Sequence, residues 1–350
     1  MPPVSQPRRT TTTPTVDFPA MDTLPRRLPL ARLPTPLQPL DRLTQAWGGP
    51  TIWAKRDDLT GFGVSGNKIR KLEFHFAAAE DAGADTVITC GAAQSNHCRT
   101  TALAGAAVGL RTILVLRTPD GLAPHEPRGN LLLDHLAGAE IRYITPDDYL
   151  HRGEVMAEIA DGEARNGRRP WVIPEGASDA LGMWGFVQAF QELDQQLARV
   201  QRPVGVWHAA SSGGTTAGLG WAADRLGVEV PIVGCSVGDT VEQLGERIRV
   251  IWAEAVAAAG GGRLPTPVLE LTDDHLDGGY GLTSPDALAA QAEVTSLTGL
   301  VLDPTYTGKA IVGLADEIRA GRYGPGDDMV FWHTGGGFAV FAHDFGAVLS

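Results

Sequence analysis

The segment that decides the fold runs from Thr86-Val-Ile-Thr89 through a polar turn to His97–Val108, stops at Gly109, and resumes as Thr112-Ile-Leu-Val-Leu116. Two short β-branched runs flank a stretch of helical spacing, so the three pieces form one β-α-β unit with parallel strands. Neither run alternates apolar with polar residues. Strands of a parallel sheet show that pattern because helices cover both faces.

The same alternation extends outward in both directions. Upstream, Leu24 to Leu43 is rich in proline and expected to be extended before a short helix at 41–47. Ile52–Arg56 reads as a strand and 67–82 as a helix ending near Gly83. Downstream, helices are expected at 129–136, 152–166 and 180–197, with strands at 140–144, 171–174 and 204–208. A turn at 211–216 leads to a helix at 217–226. Strand 232–237, helix 241–259, a short strand at 268–271, helices 284–297 and 309–320, and a last strand 329–333 follow, with a helix beginning at Phe338. The class is α/β, with helices on both faces of open, twisted parallel sheets. No linker separates two sequential domains, so interleaved domains are expected, with ligands beyond the carboxyl ends of the strands.

Composition narrows the partners. The chain has 350 residues, 43% hydrophobic and 20% charged, as in ordinary soluble proteins. Its formal charge of -12 disfavours nucleic acid and anionic membranes. No apolar run is long enough to cross a bilayer. Cys90, Cys98 and Cys235 are too scattered for a disulfide framework or a zinc site, so no metal is expected and a cytoplasmic setting is. Residues 1–20 hold a Thr/Pro cluster with Arg8 and Arg9 but no apolar segment, and read as a disordered tail rather than a secretory signal.

Three glycine- or hydroxyl-rich loops follow strands. Gly91 to His97 opens a helix whose amides suit a carboxylate, although Ser and Asn are also ordinary helix caps. Ser211-Ser-Gly-Gly-Thr-Thr-Ala-Gly218 lets backbone approach an anion, with neither the lysine of a P-loop nor the spacing of a dinucleotide fingerprint. His333-Thr-Gly-Gly-Gly337 can lie against a flat ring. In Ser65-Gly-Asn-Lys-Ile-Arg-Lys-Leu-Glu73, Lys68 follows a tight turn on a helix with an apolar face, where desolvation makes an amine nucleophilic. A Schiff-base lysine, a phosphate cup and a carboxylate-binding helix start together describe pyridoxal 5'-phosphate holding an amino acid.

Six stretches carry a family resemblance. They are Pro34-Thr-Pro-Leu, Lys55-Arg-Asp-Asp-Leu-Thr, Gly66-Asn-Lys-Ile-Arg-Lys-Leu-Glu-Phe, Gln94-Ser-Asn-His, Ser212-Gly-Gly-Thr-Thr-Ala-Gly-Leu and Leu302-Asp-Pro-Thr-Tyr-Thr-Gly-Lys-Ala. With them the chain resembles the D-cysteine desulfhydrase and 1-aminocyclopropane-1-carboxylate deaminase family of fold-type-II, tryptophan synthase β-like, pyridoxal-phosphate enzymes. The resemblance implies a large cofactor-binding domain from 21–69 and 181–350, a small domain at 70–180 inserted in it, and a homodimer.

By the same resemblance Lys68, Ser95, Tyr280 and Tyr306 are catalytic. Asn67, Asn96, Ser212, Gly213, Gly214, Thr215, Thr307 and Thr334 join Lys68 around the cofactor. Gln94, Ser95, Asn96, His97 and Trp184 are expected at the substrate. Thr307 stands where the cyclopropane deaminases carry a glutamate facing the pyridine nitrogen, which favours desulfhydrase chemistry with Lys68 as the Cα base. Met183-Trp184 and the Leu-Thr-Ser-Pro after Gly281 depart from the family pattern. Elimination of sulfite from cysteate, deamination of the cyclopropane acid, β-replacement and a silent cofactor-binding protein stay open.

Overall fold

The first elements are strand β1 (Leu37–Pro39), helix α1 (Asp41–Trp47) and strand β2 (Thr51–Arg56), the two strands pairing antiparallel. These and all later elements come from a computed structural model that describes residues 24–198 and 203–346. Helix α2 (Lys68–Asp81) leads into β3 (Thr86–Ala92), α3 (Asn96–Val108), β4 (Arg111–Arg117), α4 (Gly129–Leu136) and β5 (Glu140–Ile144). Helices α5 (Pro146–Leu150) and α6 (Arg152–Arg165), strand β6 (Pro170–Val172) and helix α7 (Trp184–Leu197) come next. The last third holds β7 (Gly205–Ala210), α8 (Gly214–Leu226), β8 (Ile232–Ser236), α9 (Val241–Ala258) and β9 (Leu269–Thr272). It ends with α10 (Pro285–Thr298), α11 (Thr307–Arg319), β10 (Asp328–His333) and a 3-10 turn at Gly337–Ala342.

Two sheets result. One has the order β1-β2-β10-β7-β8-β9 and is parallel except at the β1 edge. The other, β5-β4-β3-β6, is parallel throughout. The chain builds the first sheet from both of its ends and the second from its middle.

Helix α2 is the member both sheets share. It packs on α3 and α7, and Ile69, Leu72, Phe74, Phe76 and Ala79 are all buried. Arg70, Lys71, Glu73 and His75 are buried as well, so each needs a partner. Arg70 meets Asp57 at 2.8 Å, Glu73 accepts from the amides of Leu30 and Ala31 at 2.6 and 2.7 Å, and His75 meets Asp179 at 3.1 Å.

Several expected boundaries move. Helix α8 begins at Gly214, not Ala217, so the expected turn is already its first turn; α11 likewise begins at Thr307, not Lys309. Helix α7 starts at Trp184, four residues later than expected, because Asp179 draws in the Gly182 amide at 2.7 Å and holds 179–183 as a turn. The helix expected at Phe338 is the 3-10 turn. Helix α5, with a capping box from Thr145 and Asp148, and edge strand β1 were not anticipated. The tail expected at 1–20 lies outside the described residues. Among those described, no helix is long and apolar enough to cross a membrane, and no cluster of three or more metal-binding side chains occurs.

Candidate active site

A cavity opens beyond the carboxyl ends of β7 and β10, where the first turns of α2, α3 and α8 converge. Lys68 lines it with Asn67, Asn96, Ser212, Thr215, Tyr306 and Thr334. Glycines bring Lys68 there. Gly66, at φ +108°, packs so tightly that a Cβ would lie 2.9 Å from the Thr334 carbonyl, and one on Gly335, at φ +91°, would lie 2.5 Å from Gly66 Cα. The Asn67 amide then donates to the Thr334 carbonyl at 3.0 Å. Burial draws the Lys68 amine down to about 8, against the opposing pull of the Glu175 and Asp303 carboxylates. An amine at that value is partly free base at neutral pH.

At one end of the cavity α8 begins on Gly213, whose backbone is left-handed and supplies no side-chain cap. The first-turn amides therefore face the cavity without a side-chain acceptor, which favours an anion. Asn67 Nδ2 donates to Thr215 Oγ1 at 3.1 Å. Behind the cup stands Lys71, absent from the sequence reading. Its Nζ donates to Ser178 Oγ at 2.8 Å, and that hydroxyl lies 2.7 Å from Ser212 Oγ. Lys71 is fully buried; burial and the neighbouring Lys68 push its pKa well below the usual lysine value. An anion in the cup would reverse that effect. Its spacing from Lys68 along α2 was the available signal, since residues three apart share a helix face.

The helix start at Ser95 is divided in its duties. Ser95 Oγ accepts from the Cys98 amide at 3.2 Å, the bland capping role, and Asn96 lines the cavity with its Oδ1 held by Asn130 Nδ2 at 2.9 Å. Gln94 does not line it. Its amide braces the start of α4, accepting from Asn130 N and donating to the Arg128 carbonyl, both at 3.0 Å. His97 is also turned away: Thr89 Oγ1 gives its own hydrogen to the Ile173 carbonyl and so accepts from His97 Nε2, at 2.7 Å. Burial and the charges of Lys68 and Lys71 hold His97 well below its usual pKa, so the ring is neutral. Trp184, expected at the substrate, lies in the core edge-on to Trp221 with ring centres 6.1 Å apart, and Met183 is wholly buried with it.

Thr307 departs from expectation too. Its hydroxyl donates to Asp303 Oδ1 at 2.8 Å and its amide to the same oxygen at 2.9 Å, as part of the cap of α11. Thr307 does not line the cavity, whereas Thr334, expected beside it, does.

Tyr306 lines the cavity away from the cup, and Tyr280 stands behind it. Tyr280 and Tyr306 meet hydroxyl to hydroxyl at 2.5 Å, with rings edge to face. Burial raises Tyr280 to about 12 and Tyr306 well above its usual value, so both keep their protons at neutral pH. Arg117, at the end of β4, places its guanidinium 5.8 Å from the Tyr280 ring centre and 5.0 Å from that of Tyr149. It too was missed by sequence reading, because a lone arginine at a strand end gives no pattern.

Residues 28–335 match the family model described as pyridoxal-phosphate dependent enzyme. The chain belongs to that family. Within it, a D-cysteine desulfhydrase of Salmonella choleraesuis is 39% identical over 319 residues, covering 91% of this chain and 96% of the relative. A Thermotoga maritima protein, provisionally named a 1-aminocyclopropane-1-carboxylate deaminase, is 38% identical over 318 residues, covering 90% and 98%. The crystal structure of an ACC deaminase homologue superposes with a TM-score of 0.83 at 36% identity, covering 94% and 97%. A fungal L-serine ammonia-lyase from Rhizomucor miehei, at 17% identity and a TM-score of 0.59, shares the fold. This pyridoxal-phosphate enzyme is thus of fold type II, in the desulfhydrase and deaminase group, and is a lyase.

The residues present fit that cofactor. The uncapped α8 amides and the buried Lys71, whose Nζ meets no carboxylate at hydrogen-bond distance among the described residues, form a donor set that calls for an anion such as a phosphate. The Lys68 amine suits an aldehyde, and Asn96 and Thr334 offer polar atoms to the edge of a ring.

Proposed function

We propose that the protein is a β-eliminating lyase that converts D-cysteine and water to pyruvate, ammonia and hydrogen sulfide. The observation that carries this reading is the chemistry of the cavity wall, which offers hydroxyls, amides and one amine but, among the described residues, no carboxylate. Pyridoxal phosphate bound there supplies an electron sink for the pair left when a Cα–H bond breaks. Nothing in this wall would hold a proton on the ring nitrogen, so the sink is a mild one, sufficient when the Cβ substituent leaves readily.

In this reading Lys68 Nζ, held near neutrality by burial, takes the Cα proton. Amides at the start of α3 orient the substrate carboxylate, with Ser95 and Asn96 beside it. The Tyr280–Tyr306 pair, protonated at neutral pH, gives a proton to the departing sulfur through Tyr306, which lines the cavity. The Cβ–S bond breaks, the thiol with that proton leaves as hydrogen sulfide, and the unsaturated amine left behind hydrolyses with water to pyruvate and ammonia.

Arg117 favours a second reading. It makes no ion pair among the described residues and sits against Tyr280, so an anionic leaving group such as the sulfonate of cysteate would find a countercharge there. Release of keto acid from D- and L-cysteine, cysteate, chloroalanine and 1-aminocyclopropane-1-carboxylate, with sulfide and sulfite measured, tests both. Sulfide with pyruvate from D-cysteine supports the first reading, sulfite from cysteate the second, and 2-oxobutanoate overturns both. Cofactor absorbance without turnover of any compound would mark a silent binding protein. The family resemblance also supports a cytoplasmic homodimer, with 70–180 as a small domain inserted between 21–69 and 181–350.

A further inference from the structure

Lys309 is wholly buried on α11, and its Nζ donates to three backbone carbonyls: Leu276 at 2.5 Å, Gly279 at 2.7 Å and Val237 at 3.2 Å. Only a protonated amine has three hydrogens to give, so the geometry identifies an ammonium ion. Among the described residues no carboxylate lies at hydrogen-bond distance from it, the carboxylate charge acting on it being that of Asp277, in the same loop as Leu276 and Gly279. A small cation inside a cage of carbonyl oxygens is the arrangement by which a protein also holds a bare monovalent ion.

The cage is next to the catalytic end of the cavity. Two of the carbonyls belong to the loop that carries Tyr280, and the third precedes Gly238, where a Cβ would lie 2.9 Å from Tyr280 Cβ. That loop holds Asp277, Gly278, Gly279 and Gly281 all at positive φ, at +50°, +84°, +131° and +78°. Such backbone does not keep its shape by local preference, and a non-glycine residue there is strained. Its own amides supply few ties, Gly279 N to Leu276 O at 2.8 Å and Leu282 N to Gly279 O at 3.3 Å. Tyr306 lies three residues before Lys309, on the same side of the helix start. Helix α11 therefore grips Tyr280 twice, at the phenol through Tyr306 and at the backbone through Lys309.

We propose that Lys309 is a positioning residue that acts through Tyr280, its ammonium serving as a built-in monovalent cation that sets the 276–281 loop. The role of Tyr280 in turnover rests on the function proposed above; the placing of the loop does not.

The first test uses the unmodified enzyme with whichever substrate of the panel it accepts. Its kcat should agree within about twofold in potassium chloride and in tetramethylammonium chloride of equal ionic strength, a change too small to mark a lost active-site contact. Activation by potassium beyond that overturns the proposal. Lys309→Met should lower kcat by about 10²-fold, the scale on which a misplaced reacting group acts. Potassium or ammonium chloride, but not tetramethylammonium, should restore much of it. Tyr280→Phe should add little in the Lys309→Met background, because both changes remove one contribution. An unchanged kcat in Lys309→Met, no recovery with either small ion, or losses that multiply each count against it. Hydrogen exchange on the unmodified chain without substrate reads the loop directly and covers a variant that fails to fold. Protected amides at Gly279 and Leu282 are expected, and exchange at the rate of unstructured peptide overturns the assignment. A chain that turns over no panel substrate but shows this protection sinks the lyase reading while leaving the loop assignment standing.

Discussion

The two ends of the cavity are built by opposite means. The cup is local: Ser212 to Thr216 supply it from one strand-to-helix turn, with Lys71 and Ser178 behind. The tyrosine end is assembled at long range, from a loop at 276–281, the start of α11, and Arg117 of the other sheet. A cup formed by main-chain amides tolerates side-chain change and mainly sets affinity. In the proposed reaction the phenols, placed by strained backbone, would set rate and be sensitive to small displacements.

Substitutions sharpen this contrast. Lys68→Ala, between the two ends, should remove both the cofactor's imine absorbance and turnover, with kcat down by about 10⁴-fold or more; a spectrum and rate that persist end the assignment. Tyr306→Phe should lower kcat by about 10²- to 10³-fold while leaving cofactor affinity alone. A loss in cofactor affinity instead, read by equilibrium dialysis, would erase the distinction between the ends. Lys71→Met should do the reverse, weakening cofactor binding by about 10- to 100-fold, the value of a hydrogen bond to a charged group, with kcat at saturating cofactor little changed.

Acidity gives a fourth check. The Lys68 amine must be unprotonated to attack, and its pKa lies near 8. The rate of cofactor uptake by the apoenzyme should therefore climb about tenfold per pH unit below that value and level off above it. A rise that continues to the ordinary lysine range would show that the amine is not desolvated. The smallest kinetic effect is expected from Trp184→Phe. Stability should fall by about 1–3 kcal/mol through the void beside Trp221, with KM for the substrate unmoved; a changed KM would place Trp184 at the substrate after all.

Much of this architecture could be read before the structure. Short β-branched runs and helical periods located nearly every strand and helix, because those patterns follow from which faces a parallel sheet buries. Boundaries slipped where side chains compete with backbone periodicity, as at Asp179 before α7 and at Asp303 before α11. Site residues divided in the same way. Lys68 and Ser212 to Thr215 were legible because glycines fix the backbone within a few residues. His97, Gln94 and Trp184 were expected at the substrate and instead face Thr89, Asn130 and Trp221.

The sequence by itself determined the parallel α/β class, the lysine and the anion cup, since each depends on torsion preferences and burial periods confined to a short window. Only the tertiary structure decided that Lys71 backs the cup, that of Thr307 and Thr334 only the latter reaches the wall, and that Tyr280 and Tyr306 share a hydrogen bond beside Lys309. Helix α2 is buried nearly all round, so periodicity cannot say which of its lysines meets which neighbour. Contacts between distant segments depend on how two sheets and their helices pack, and that packing leaves no local trace.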